Sequence, residues 1–408
     1  VTWLLAFPGL LLLPHIHPHV VAFAHIWLLG VLLTICFGAV YQLMPVIANT
    51  AFTGPRRAWT HLLLHTAGVA LMIAAFLQGR LDWVAIGGSS VLLGLLLFGW
   101  SVLRTLRAAN RIDAILVSFG CAAMWLIVTA LAGLLLALDL RFGWGSIDVL
   151  ALLRSHAHLG VVGFFLTLIQ GAMFRLVPMF TLGVLKDTRQ IRNALVLSQL
   201  GLLALAPALA WQVRSLEVFG AALLIASFVV TAIGLKRVLD TRKKRILEPG
   251  LRGFFSGLGF LVVAALSGTL LIFGAQNLSA ALAYGAIAVL GGVLMAVEGM
   301  LCKIVPFLVW MRVYGPQVGR RPVPQATGLG LPRCEHAWVF LHAVSVVLLG
   351  IGAALEQPLV VGFGAVAFAI GHGLLTASLS ATAKHCLMPR GVVANAQHST
   401  LNRQRPIS

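Results

Sequence analysis

Twelve apolar runs constrain this chain more than any other feature. They lie near residues 1–13, 19–46, 58–79, 83–104, 113–139, 155–182, 191–213, 216–238, 252–275, 280–309, 334–355 and 359–385. Runs of this length and apolarity are read as membrane-spanning helices. Composition agrees: 60% of residues are hydrophobic and only 10% charged, with a mean hydropathy of +0.99, which no soluble class matches. The expected fold is an all-α polytopic membrane protein of about 12 transmembrane helices. It forms a single membrane domain over 1–387, followed by a polar cytoplasmic tail at 388–408. The first run is short, and a start at Val1 inside apolar sequence suggests that further residues precede it.

One pattern recurs within these runs. His25 is followed by Gly30, Thr34, Gly38 and Pro45, and an offset of 133 residues brings His158, Gly163, Thr167, Gly171 and Pro178 at the same intervals. A third copy keeps Gly291, Gly299 and Pro306, with Met295 in place of the threonine and Ala286 in place of the histidine. The motifs at 25–45, 158–178 and 286–306 fall on the second, sixth and tenth runs. They predict three pseudo-repeated four-helix arcs.

The formal net charge of +18 could suggest nucleic acid, but the basic residues alternate from loop to loop. Arg56 and Arg57, Arg104 to Arg111, Lys186 to Arg192, Lys236 to Arg252 and Arg312 to Arg333 follow even-numbered helices. Only Arg80, Arg141, Arg154 and Arg214 follow odd-numbered ones. The positive-inside rule then places the basic side and both termini in the cytoplasm of a bacterial-type inner (plasma) membrane. Lipid is the expected partner of the basic loops, and no nucleic acid is expected. Five scattered cysteines form neither a disulfide framework nor a thiolate metal site.

Chemistry concentrates in the histidines. Gly30, Thr34 and Gly38 make a small-residue packing stripe, as do Gly163, Thr167 and Gly171. On a regular helix His25 lies about 140° from that stripe. An imidazole facing lipid is expensive, so His25 and His158 should face the bundle interior, a cofactor or a polar partner. His15, His17 and His19 precede the first copy and His156 the second, where alternating imidazoles could hold copper or zinc. For His15 and His17 the favoured reading is an interfacial loop wetted by water and headgroups. His372, deep in the last helix, is a candidate second axial ligand. His61 and His65 stand one turn apart without a third ligand nearby in sequence. Gln170 and Glu298 occupy equivalent positions of the second and third copies and are candidates for a proton relay, unless Glu298 simply pairs with Lys303.

Three arcs of four helices with a histidine at the outer end of helix two resemble the catalytic subunit of the heme-copper oxidase superfamily. GAVYQLMP at 38–45 is similar to the end of helix two in nitric oxide reductases, and HLGVVGFFLTLIQGAMFRLVP at 158–178 to helix six of C-type oxidases. By that resemblance His25 takes the place of a low-spin heme ligand, within one residue, and His158 that of a copper ligand. The departures are specific. The family's adjacent histidine pair on helix seven is missing from 191–213, its two helix-ten histidines are missing from 280–309, and no tyrosine takes the place of the oxidase proton donor. NnrS proteins are a looser comparison.

The resulting expectation is a heme-binding protein of oxidase-subunit-I type without a standard binuclear centre, in electron transfer or O2/NO handling. Heme b is the expected cofactor, with copper second, held by His25 or His158, with His19, His156 or His372 as a second group. His17, His19 and His156 are the metal candidates. A c-type cytochrome or another membrane redox subunit is the expected partner. The alternatives are a heme-free transporter or metal-handling protein, and an accessory subunit that keeps the fold without the chemistry.

Overall fold

The computed structural model describes residues 8–14, 16–51, 54–145, 148–274 and 277–387; His15 and the tail at 388–408, with His398, lie outside these. Among the described residues there is no strand, and eleven helices are long and apolar enough to cross a membrane. They are α1 (Pro18–Ile47), α2 (Pro55–Leu77), α3 (Leu81–Ala108), α4 (Ala114–Phe142), α5 (Val149–Thr181), α6 (Arg189–Trp211), α7 (Arg214–Asp240), α8 (Pro249–Phe273), α9 (Leu278–Val313), α10 (Pro332–Ala354) and α11 (Pro358–Lys384). Of the first apolar run, the described part is a short 3₁₀ turn, Pro8–Leu12, packed mainly on α11. The second, sixth and tenth runs, which carry the three motifs, are α1, α5 and α9.

These three helices are the long ones, at 30, 33 and 36 residues. Each is followed by a closely packed hairpin: α2–α3, α6–α7 and α10–α11. α4 packs against α5 and α8 against α9. Prolines sit at the first turn of α1, α2, α8, α10 and α11, where the missing N–H costs nothing. Pro45, Pro178 and Pro306 lie inside helices, near the far end from the motif histidines.

All three motif helices change winding at the same place. Ile26–Leu33, Leu159–Leu166 and Ile287–Leu294 are eight-residue π-helical segments, each starting one residue after His25, His158 or Ala286. π-Helical turns are rare and gather at functional sites. Side chains service the backbone there. Thr34 Oγ1 donates to Leu29 O five residues back at 3.4 Å, and Thr167 Oγ1 to Val162 O at 3.2 Å. In the third copy Met295 has no hydroxyl, and His342 Nε2–H donates to the corresponding Leu290 O at 2.9 Å. His65 Nε2–H reinforces Leu29 O at 3.0 Å. The repeated threonine is therefore a donor to the π segment as well as a small packing residue.

The glycine stripe behaves differently in each copy. A methyl group at Gly163 would meet Trp125 at 2.8 Å, and one at Gly291 would meet Val346 at 2.6 Å. Gly299 abuts the α8 backbone at Gly250 and Phe254. Gly30 and Gly38 have nothing within 4 Å of that position.

Candidate functional site

α1, α5 and α9 line a partly open, mostly apolar cavity of about 1420 Å³ together with α2, α3, α4, α6, α7 and α8. His25, His156 and His158 line it towards the end where α1 and α5 begin, and Met173 and Leu239 line it further along the bundle. Pockets for small organic ligands are typically about 300–1,000 Å³, so this volume exceeds that range.

His25 reaches the cavity from α1 and His156 from α5. His25 Nδ1–H donates to Val21 O at 2.7 Å, and His156 Nδ1–H donates across to Thr129 O on α4 at 3.0 Å. A carbonyl only accepts, so both rings have their hydrogen on Nδ1 and present a bare Nε2. The ring centroids are 6.4 Å apart and the planes are inclined by only 19°. Phe76 lies against His25 at 5.1 Å. Gly133, one turn beyond Thr129, makes room for the other ring: a methyl group there would stand 2.7 Å from His156 Cε1. Arg80, which pairs with Asp82 at 3.4 Å, and Arg154 line the same mostly apolar cavity, as do Glu217 and Lys236.

His158 is held differently. Its Nδ1–H donates to Arg154 O at 2.8 Å, and its Nε2 lies 3.1 Å from the Tyr284 hydroxyl of α9, which donates to it. Sequence equivalence pairs His25 with His158, but the structure brings His25 to His156 and gives His158 a tyrosine partner. Tyr284, Thr129 and Gly133 carry no signal in the sequence reading.

His17 is the residue before the first turn of α1, where its Nδ1 accepts from His19 N at 3.3 Å, and the two rings lie 5.2 Å apart. It thus serves as a helix cap. Gln170 is a buried structural knot: its amide donates to Ser227 at 3.0 Å and Thr231 at 2.7 Å, and accepts from Ser198 at 3.2 Å. Every polar atom of that side chain is satisfied, joining α5 to α6 and α7.

Glu298 turns away from Lys303, which pairs with Glu248. Its carboxylate faces His372 of α11, with Oε1 to Nε2 at 3.1 Å, and His342 of α10, with Oε2 to Nδ1 at 3.3 Å. All three residues are buried. His342 was not singled out by its sequence, because nothing along the chain links it to Glu298. His61 and His65 are buried beside Phe37, and the Tyr41 hydroxyl lies 3.1 Å from His61 Nδ1.

Fold and site together define a class: a polytopic, all-helical integral membrane protein with histidines buried inside the bundle. Comparison with protein-family models and with curated proteins finds no match for the chain.

Proposed function

We propose that this protein carries heme, b-type, at the end of the bundle where α1, α5 and α9 begin, and that it transfers electrons within the membrane. The observation that carries the reading is the pair His25 and His156. Metal-ligating imidazoles characteristically tie their other ring N–H to a carbonyl or carboxylate, and both rings do so here. If the two imidazoles held one iron between them, with about 2.0 Å from nitrogen to metal and about 1.1 Å from nitrogen to ring centre, their centres would stand about 6.2 Å apart. These stand 6.4 Å apart. The mostly apolar wall suits a macrocycle.

A heme bound there supplies reversible one-electron chemistry, its potential set by the axial groups and the burial of the site. His25 and His156 would both be committed to the iron, which favours electron transfer over O2 or NO handling. The resemblance to oxidase subunit I supports the same reading. The loop charge pattern supports it too: by the positive-inside rule the histidine end of the bundle faces away from the cytoplasm in our reading, where a c-type cytochrome would reach it.

The test is an absorption spectrum of the detergent-purified protein with heme extraction. A Soret band that His25→Ala and His156→Ala each abolish or convert to high spin, and that His158→Ala leaves low-spin, is the expected result. Absence of heme, or heme unchanged in both of the first two variants, would refute it.

A further inference from the structure

A second centre lies on other residues. We infer that Glu298, His342 and His372 form a binding site for one divalent first-row transition-metal ion inside the α9–α10–α11 group. It is independent of the heme reading.

The argument starts from where the hydrogens must be. His342 Nε2 lies 2.9 Å from Leu290 O, and His372 Nδ1 lies 2.8 Å from Phe368 O. Each of those nitrogens carries the hydrogen, since a carbonyl can only accept. The remaining nitrogens, His342 Nδ1 and His372 Nε2, are then lone pairs, and both are aimed at the carboxylate of Glu298 at 3.3 and 3.1 Å. Neither nitrogen, nor Glu298 Oε2, has a hydrogen-bond partner. Lone pair against lone pair is repulsive, and in a buried, low-dielectric site the penalty is large.

Protons do not resolve it cheaply. One proton serves only one of the two contacts. Two protons leave a net positive charge among Trp338, Phe368 and Trp27, whose rings lie 3.9–5.9 Å from the histidine rings.

A metal ion answers all three atoms at once. Two ligands each about 2.0–2.1 Å from a tetrahedral ion are about 3.3 Å from one another. Each imidazole nitrogen already stands at this separation from one carboxylate oxygen, His372 from Oε1 and His342 from Oε2. One ligand atom from each of the three residues lies within 4.8 Å of the others, so a carboxylate using both oxygens needs only a small contraction. The rings are locked by their backbone bonds, as imidazole ligands are. Two nitrogens and one oxygen suit zinc, iron(II) or cobalt(II) better than calcium or magnesium.

The experiment uses the full-length protein in detergent, stripped with chelator and titrated with cobalt(II), whose visible d–d bands report coordination. One equivalent should bind with a four- or five-coordinate spectrum and be displaced by zinc. Glu298→Gln and His372→Gln should weaken uptake by at least 100-fold, and Thr34→Val, on α1, should leave it unchanged. Should Glu298→Gln fail to fold, Glu298→Asp, which keeps the charge and withdraws it by one methylene, should weaken uptake at least tenfold. No cobalt uptake by the wild type, or uptake unaltered in variants that elute as a single monodisperse species, would overturn the site. A protonated-carboxyl infrared band lost in Glu298→Gln without metal uptake would also overturn it, assigning protons there instead.

Discussion

Replacing Gly133 by alanine adds one methyl group to α4 at the point where the His156 ring crosses it. That methyl would stand 2.7 Å from Cε1 and 3.2 Å from Nδ1. Carbon pairs settle at about 3.5–4.0 Å, so the ring must retreat by about 0.8 Å or more. Metal–ligand distances tolerate about 0.2 Å. The displacement is several times that, and it also pulls Nδ1 off Thr129 O, a bond now 3.0 Å long. Losing such an outer partner typically costs about 10–100-fold in metal affinity. Overpacking adds about 1–3 kcal/mol of destabilisation, offset by about 0.5–1 kcal/mol from removing a helical glycine.

Gly88 is the control. It lines the same cavity from α3, and a methyl group there would meet only Leu134 Cδ1, at 3.9 Å. The assay is heme per protein after purification, with the low-spin signature of the oxidised iron read by paramagnetic resonance and heme loss followed to an apo-globin acceptor. Gly133→Ala should lose heme at least tenfold faster or turn high-spin, while Gly88→Ala should match the wild type. In combination with His156→Ala, the glycine change should add nothing further. If the two glycine variants behave alike, His156 is not a ligand and the pairing with His25 is wrong.

Two further predictions concern the scaffold. Thr167→Val preserves shape but removes the hydroxyl from Val162 O; it should cost about 1–2 kcal/mol in thermal or denaturant unfolding in detergent. Thr34→Val should cost under about 0.5 kcal/mol, because Leu29 O keeps the His65 donor; equal losses would contradict the role given to the hydroxyls. At the other end of the bundle, burial by itself raises the Glu248 carboxyl. Hydrogen bonds from Lys244 and Lys303 and their charges outweigh it and hold the group below its ordinary 4.5. A depressed carboxyl stabilises the fold above its unfolded value and loses that contribution as pH falls through the folded one. Melting temperature should therefore be insensitive to this group near neutrality and decline below about pH 4.5, and Lys303→Met should flatten that decline. An acid limb of unchanged slope in the variant would remove the pair from the account.

The apolar runs and the histidine spacing were legible because lipid leaves a helix little choice and the motif is short and rigidly spaced. The winding was not. Reading 100° per residue put His25 about 140° from Gly30, whereas the structure starts a π segment at Ile26, and no residue-type preference announces one. The pairing of His25 with His156 also escaped, since repeat equivalence aligns positions along a helix and says nothing of which neighbour's ring is opposite. His156 is set by Thr129 and Gly133 on α4, residues of the commonest membrane-helix types. The glycine stripe was legible as packing in α5 and α9, yet the same spacing in α1 meets nothing at Gly30 and Gly38.

The twelfth residue after each motif's first position shows what such recurrence can and cannot tell. Phe37, Gln170 and Glu298 stand at that register and meet side chains of the hairpin that follows. The phenyl ring of Phe37 packs edge-on to His61 and His65 at 4.3 and 5.1 Å. The amide of Gln170 closes a satisfied hydroxyl network with Ser198, Ser227 and Thr231. The carboxylate of Glu298 confronts two imidazoles whose hydrogens are spent elsewhere. In the α1 group both imidazoles come from α2 alone and there is no carboxylate; around α5 the position is polar and its partners are hydroxyls. Among the described residues only the α9 group combines an anion with two bare nitrogens at this register, and there the position that packs in α1 is the proposed ligand set. Sequence periodicity marks the position, and the chemistry depends on the partners that α10 and α11 bring to it.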